Sequence, residues 1–225
     1  MRTPSGTETR SMNARRFTIL ELLIVVGIIA VLAGILLPAL NSARRKARDM
    51  SCISNMKQIG IAINGYADDW ESYTPLPEDP GDSPTPYYKW QDKLACYISS
   101  DFQVRWNGDY VRLNIFRCPS QVPEESRNVS KNYGLNGYLR QIPKAFFLRV
   151  KRPSERMMVS DIDKTSGAPI IYERVNISAD QTTQRHLSGC GVNLIFGDLH
   201  VASARMSRIP GSAYASYFWG QNIND

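Results

Sequence analysis

A chain of 225 residues with 43% hydrophobic and 21% charged side chains has the composition of one ordinary domain with an appendage. That composition excludes a fully disordered chain, a multi-span membrane protein and a collagen-like repeat. The net charge of +6 is unevenly placed. Arg2, Arg10, Arg15, Arg16, Arg44, Arg45, Lys46 and Arg48 stand against only Glu8, Glu21 and Asp49 in the first fifty residues, leaving 19 basic and 18 acidic residues for the rest. A nucleic-acid groove needs a basic stripe on the folded domain. None is visible after residue 50, so no nucleic-acid partner is expected.

The first element is the apolar run Phe17–Leu40, FTILELLIVVGIIAVLAGILLPAL. Its 19 uncharged residues from Leu22 to Leu40 would make a helix about 28 Å long, the thickness of a bilayer's hydrocarbon core. No polar face is present, as a core helix of a soluble domain would require. The run is longer than the ~7–15 apolar residues of a cleaved secretory signal, and it runs into a basic cluster. A retained membrane helix is therefore expected. Basic residues flank it on both sides, so charge alone leaves its orientation open. Glu21 is the anomaly: a carboxylate inside a span costs about 2.5–3.5 kcal/mol and calls for a partner or a function. Either it snorkels to the interface, or it pairs with a positive group from another chain.

Arg15-Arg16-Phe17-Thr18-Ile19-Leu20-Glu21-Leu22-Leu23, running into that helix, resembles the class III signal of type IV prepilins and of type II secretion pseudopilins (the G/H-like members). The resemblance implies a cytoplasmic leader, removed by the prepilin peptidase between Arg16 and Phe17, with N-methylation of Phe17. It makes Glu21 the fifth mature residue, the family's assembly glutamate, and Pro38 the family's helix-kinking proline. It also implies that the N-terminus is cytoplasmic and the head periplasmic, on a single-pass inner-membrane anchor. Arg16 departs from the family, which usually has Gly before the cut. Met12 is an alternative start, leaving the five-residue basic leader Met-Asn-Ala-Arg-Arg. Further motifs are similar to a pseudopilin-like group: Ser51–Gly60, Cys118-Pro119-Ser120, and Phe196-Gly-Asp-Leu-His-Val201.

Beyond the span, Ala43, Ala47, Met50, Ile53, Met56, Gly60, Ile63 and Ala67 recur at helical steps. They predict an amphipathic helix over 41–68 with one face on a head domain. Gly27 and Gly34 would admit close approach of another helix. Five prolines in Thr74–Pro86 predict a loop, and Trp90, Leu94 and Tyr97 predict a short helix over 89–98. Short β-like runs follow at Val111–Phe116, Met157–Ser160, Ile170–Ile177, Val192–Phe196 and Leu199–Ala202, the last two joined by a hairpin at Gly197-Asp198. The group's usual Asp-Gly turn is Asp198-Leu199 here, which leaves the turn type open. The expected fold class is α+β: a long N-terminal helix, half transmembrane and half amphipathic, packed on a small antiparallel C-terminal sheet, pilin-like. The expected parts are a leader over 1–16, a span over 17–40, the amphipathic helix over 41–70 and the head over 71–225.

Chemistry-bearing residues are few. Cys52, Cys96, Cys118 and Cys190 allow three disulfide connectivities, and an exported head permits them. At least one bridge through Cys118 is expected, pairing open. No C-x-x-C suggests zinc. His186, Asp198 and His200 are weak metal candidates, with no metal as the reading preferred. No cofactor is expected; calcium, bound by some relatives in the broader family, would need Asp161, Asp163 and Asp180, which read better as solvated loop acids and show no calcium-loop spacing. There is no Gly-x-Ser-x-Gly, Walker loop or His-Glu-x-x-His, so the chain reads as a non-enzyme. Tyr133, Tyr138, Phe146, Phe147, Tyr217, Phe218 and Trp219 read as core aromatics.

The resemblance then implies a subunit cut by the prepilin peptidase and assembled with other pilin-like subunits, on a secretion or pilus platform, into a pseudopilus or type IV pilus-like filament. The alternative is a membrane-tethered extracytoplasmic binding module that uses the same anchor.

Overall fold

Helix α1 begins where an apolar run rich in Leu, Ile and Ala follows Thr18, and it continues without a break from Ile19 to Asp69. Pro38 lies inside it. In a computed structural model of the protein, the described residues are 18–75, 90–99, 114–120, 132–141, 150–162, 170–171, 186–187 and 189–210. The chain divides after Arg44 into two compact units.

The described part of the first unit is helix alone. Every Leu, Ile and Val from Ile19 to Leu40 is exposed, from 85% at Ile19 to 46% at Val25 and Leu40. This stretch has the length and hydropathy to cross a membrane.

In the second unit, α1 turns amphipathic. Cys52, Met56, Ile59, Gly60, Ala62, Ile63 and Ala67 are buried. The predicted face is shifted: Met50 is 64% exposed, and burial begins at Cys52. The helix ends through Glu71 and Ser72, both with positive φ. Helix α2, Trp90–Ile98, lies against that end. Tyr97 donates its hydroxyl to Asp69 (2.9 Å) and meets Tyr66 edge-on at 5.9 Å.

The sheet has five strands in the order β3-β1-β2-β4-β5. These are β1 Tyr133–Asn136, β2 Met157–Asp161, β3 Ile170–Ile171, β4 Gly191–Phe196 and β5 Val201–Arg205. Four strands pair antiparallel, and the two-residue β3 lies parallel to β1 at one edge. The α+β pilin-like layout is therefore as expected. Two strand assignments change. Asn114–Phe116 is a 3₁₀ turn, and β1 had no strand-like signal in Tyr-Gly-Leu-Asn.

Alternation along the strands feeds two cores. Leu135, Met158, Val159 and Ile195 join Met56, Ile59, Ile63, Trp90 and Leu94 on the helix side. Met157, Val192 and Leu194 join Tyr138, Met206 and Ile209 on the other. A register shift between Met157 and Val159 explains why the neighbours Met158 and Val159 both reach the helix-side core. The β4–β5 hairpin closes through Gly197–His200: Leu199 donates its N–H to Phe196 O (2.8 Å) and takes φ +68°. Leu199 thus belongs to the turn, not to the last strand.

Candidate functional site

Two places carry the chemistry, one in each unit. At the start of α1, Thr18 and Glu21 cap the helix reciprocally. The Thr18 N–H and hydroxyl both donate to Glu21 Oε2 (2.8 and 2.9 Å), and the Glu21 N–H donates to Thr18 Oγ1 (3.2 Å). The signal that finds this is Thr-x-x-Glu before an apolar run, a capping box that sequence reading passed over. The carboxylate therefore has partners in its own chain. Arg16 and Phe17, the expected cleavage and methylation site, lie outside the described residues. Pro38 sits within the continuous helix. A Cβ at Gly27 or Gly34 would meet nothing within 4 Å, and Gly27 leaves a shallow hollow rimmed by Ile24, Ile28, Val31 and Leu32.

The second place lies inside the second unit. Cys52 comes from the buried face of α1, with Asp49 three residues earlier on the same helix. Cys118 comes from the turn after the 3₁₀ element. Asp161 ends β2, and His186 precedes β4. The two sulfurs stand 2.7 Å apart, both buried. His186, also buried, has Nδ1 2.7 Å from Asp49 Oδ1 and Nε2 3.3 Å from Asp161 Oδ2. Nε2 is also 3.5 Å from Cys118 Sγ.

Local backbone chemistry holds these groups. Cys118 N–H donates to Asn132 Oδ1 (3.1 Å) and Asn55 Nδ2 donates to Arg117 O (3.0 Å), fixing the Cys118 turn. Asp161 Oδ2 accepts the Asn193 N–H (2.8 Å), and Ser120 donates its hydroxyl to Asp49 (3.2 Å). The His186 carbonyl accepts from Gly189, Cys190 and Gly191 N–H groups, a tight loop made possible by φ +86° at Gly189. A Cβ at Gly191 would come within 2.6 Å of Leu187 Cδ1 and 2.8 Å of Ala204 O, so no larger residue fits there.

Electrostatically the cluster is centred on His186. Burial pushes the imidazole's pKa down, but the Asp161 charge and hydrogen bond, with help from Cys118, more than offset it and raise it to about 11. The imidazolium form is thus held between carboxylates. Cys118's hydrogen bond draws the Cys52 thiol below its usual range, against burial. Cys52 Sγ, Cys118 Sγ and His186 Nε2 all lie within 4.8 Å of one another, a donor set that could hold a metal ion.

The weak metal candidates His186, Asp198 and His200 do not come together. Asp198 and His200 pair with each other at the hairpin, and the His200 ring stacks on Phe196 at 4.4 Å. His186 is committed instead to the thiol cluster. Asp161 is fully buried and hydrogen-bonded, so it is no solvated loop acid; Asp163 and Asp180 lie outside the described residues. Cys96 and Cys190 are exposed. Tyr133 and Tyr138 are buried in the head. Phe146, Phe147 and residues 213–219 lie outside the described residues. The cluster escaped the sequence because its members are up to 137 positions apart, and no local spacing marks them.

No solved structure matches. The chain is 42% identical over 62 residues to the type IV wide pilus major component PilA4 of Thermus thermophilus. The match covers 28% of this chain and 47% of that protein, so it spans about half of the relative's length. A family model described as protein of unknown function (DUF1559) matches residues 41–183. The chain is pilin-like, and it belongs to this DUF1559 family.

Proposed function

We propose that this chain is a filament subunit, inserted as a single-span precursor and assembled through the first half of α1. The observation that carries the reading is the unbroken apolar helix surface from Ile19 to Leu40, exposed on all sides in the single chain. Such a surface needs lipid or neighbouring helices around it. The identity to a pilus component supports neighbouring helices, and the hollow at Gly27 suits one.

In this reading the prepilin peptidase cuts before Phe17 and methylates it, with the leader cytoplasmic and the head on the far side of the inner membrane. The new terminus is a cationic amine in a low-dielectric layer, where an unpaired charge is costly. Glu21 of a neighbouring subunit would neutralise it during assembly on a secretion or pilus platform, as a type II pseudopilus or type IV pilus-like filament. Within the single chain, Thr18 occupies the same carboxylate.

That double duty sets the test. Glu21→Gln keeps a capping-box side chain but removes the charge, because Gln also fits the motif. Glu21→Ala removes both. If charge pairing drives assembly, both variants insert into the membrane and both are missing from sheared filaments. If Glu21 serves only as a cap, Glu21→Gln assembles like the natural chain and the charge-pair mechanism is overturned. A natural chain found solely as a membrane monomer would favour the tethered binding module.

A further inference from the structure

The buried cluster around Cys52 lies in the second unit and is not used by the assembly proposed above. We propose that Cys52 and Cys118 are joined by a structural disulfide that fastens α1 to the turn Arg117–Ser120 of the head.

Geometry argues first. The sulfurs are 2.7 Å apart, whereas two thiolates sharing a tetrahedral zinc at ~2.3 Å would be held ~3.7 Å apart. Both side chains are buried, and they come from elements separated by 66 residues. Closing the 2.7 Å gap to a bond of about 2.05 Å takes an approach of well under 1 Å between the sulfurs.

Charge argues second. A metal would require Cys52 and Cys118 as thiolates beside Asp161 and Asp49. Those are four negative groups around one histidine, and a divalent ion offsets only half of that. Oxidation removes both thiolates and leaves His186 between two carboxylates.

The step is an exchange with a protein disulfide of an oxidising partner. One thiolate attacks a partner sulfur and displaces the other as a thiolate, giving a mixed disulfide. The second cysteine then displaces the partner. Two electrons pass to the partner, and the two thiol protons end on its released thiols. Because Cys52 and Cys118 are buried once the head has closed, the exchange takes place while the head folds.

The inference rests on the proposed topology for one thing, an oxidising compartment around the head. The experiment separates the two. The full chain is taken from its native membrane with thiols blocked by an alkylating reagent, unfolded without reductant, alkylated again and digested. The expected result is a Cys52–Cys118 cross-linked peptide, lighter by two hydrogens than the reduced pair, with Cys96 and Cys190 alkylated. Cys52 and Cys118 both alkylated after unfolding would overturn the proposal. So would a zinc-loaded protein whose two thiols become reactive on chelation. In parallel, Cys96 and Cys190 are labelled in spheroplasts with a membrane-impermeant maleimide. Free cluster thiols with Cys96 and Cys190 labelled refute the disulfide alone. Free cluster thiols with neither labelled refute the disulfide and the topology together. A Cys96→Ser/Cys190→Ser chain should still show a denaturation midpoint that falls on adding reductant, and a midpoint indifferent to reductant counts against the bridge.

Discussion

One helix contains two regimes of burial. From Ile19 to Leu40 its Leu, Ile and Val side chains are all exposed; from Cys52 onward Met56, Ile59 and Ile63 are completely buried. Both halves are α-helix, so secondary structure does not separate them. What differs is pattern. The first half is apolar all round and finds no partner among the described residues of its own unit. The second half alternates apolar residues with Lys57, Gln58, Asn64 and Asp68 and buries one stripe. The first half thus holds its interaction energy in reserve for lipid or other chains, and the second spends its own on the head.

The comparison is broken most directly by paired truncations. Ile63→Ala should cost the head about 2–5 kcal/mol, because it empties a fully buried site. Urea denaturation of the full chain in detergent, followed by the fluorescence of the buried Trp90, would measure it. Equal losses for Ile63→Ala and Ile28→Ala would erase the distinction between the halves.

Next in size is the pH dependence of the head. The pKa of His186 rises from 6.5 to about 11 on folding. The folded chain therefore holds a proton that the unfolded chain lacks between those values. This contribution is complete below about pH 6.5 and is lost progressively as pH rises towards 11. The groups facing the ring are Asp49, Asp161 and Cys118, with Cys52 behind. In the disulfide form the Cys118 contribution falls away and the Asp161 contribution stays, so the upper end of the window moves down. Urea midpoints should decline across this range in the natural chain and stay flatter in His186→Gln. Parallel profiles would refute the buried imidazolium.

A smaller effect is expected at the hairpin. Leu199 has φ +68° yet packs on the helix-side core. Leu199→Gly loses packing but relieves backbone strain, whereas Leu199→Ala loses packing and keeps the strain. The Gly variant should be more stable than the Ala variant by about 1 kcal/mol. The smallest effect belongs to Ile28→Ala, which should leave head stability within about 0.5 kcal/mol while reducing recovery in sheared filaments.

How far the sequence could be read follows the same division. The apolar helix, α2, β2 and β4 announce themselves through run length and periodicity, which are local signals. Strand β1 does not, since Tyr133-Gly-Leu-Asn136 is a strand only because β2 and β3 flank it. The buried stripe of α1 starts at Cys52, so the expected face over Ala43, Ala47 and Met50 stays exposed, and Cys118 and His186, distant in sequence, cover Cys52. Thr18 was legible as the first member of a capping box. The grouping of Cys52, Cys118, Asp161 and His186 was not, because it depends on strand order and hairpin return.

The most direct test of the central claim, that the exposed half of α1 is made for assembly after processing, is mass spectrometry of the mature N-terminus on protein from its native membrane. The account predicts a first peptide beginning at N-methylated Phe17. A chain that keeps its leader through Arg16 would contradict it, and the first half of α1 would then be a permanent anchor.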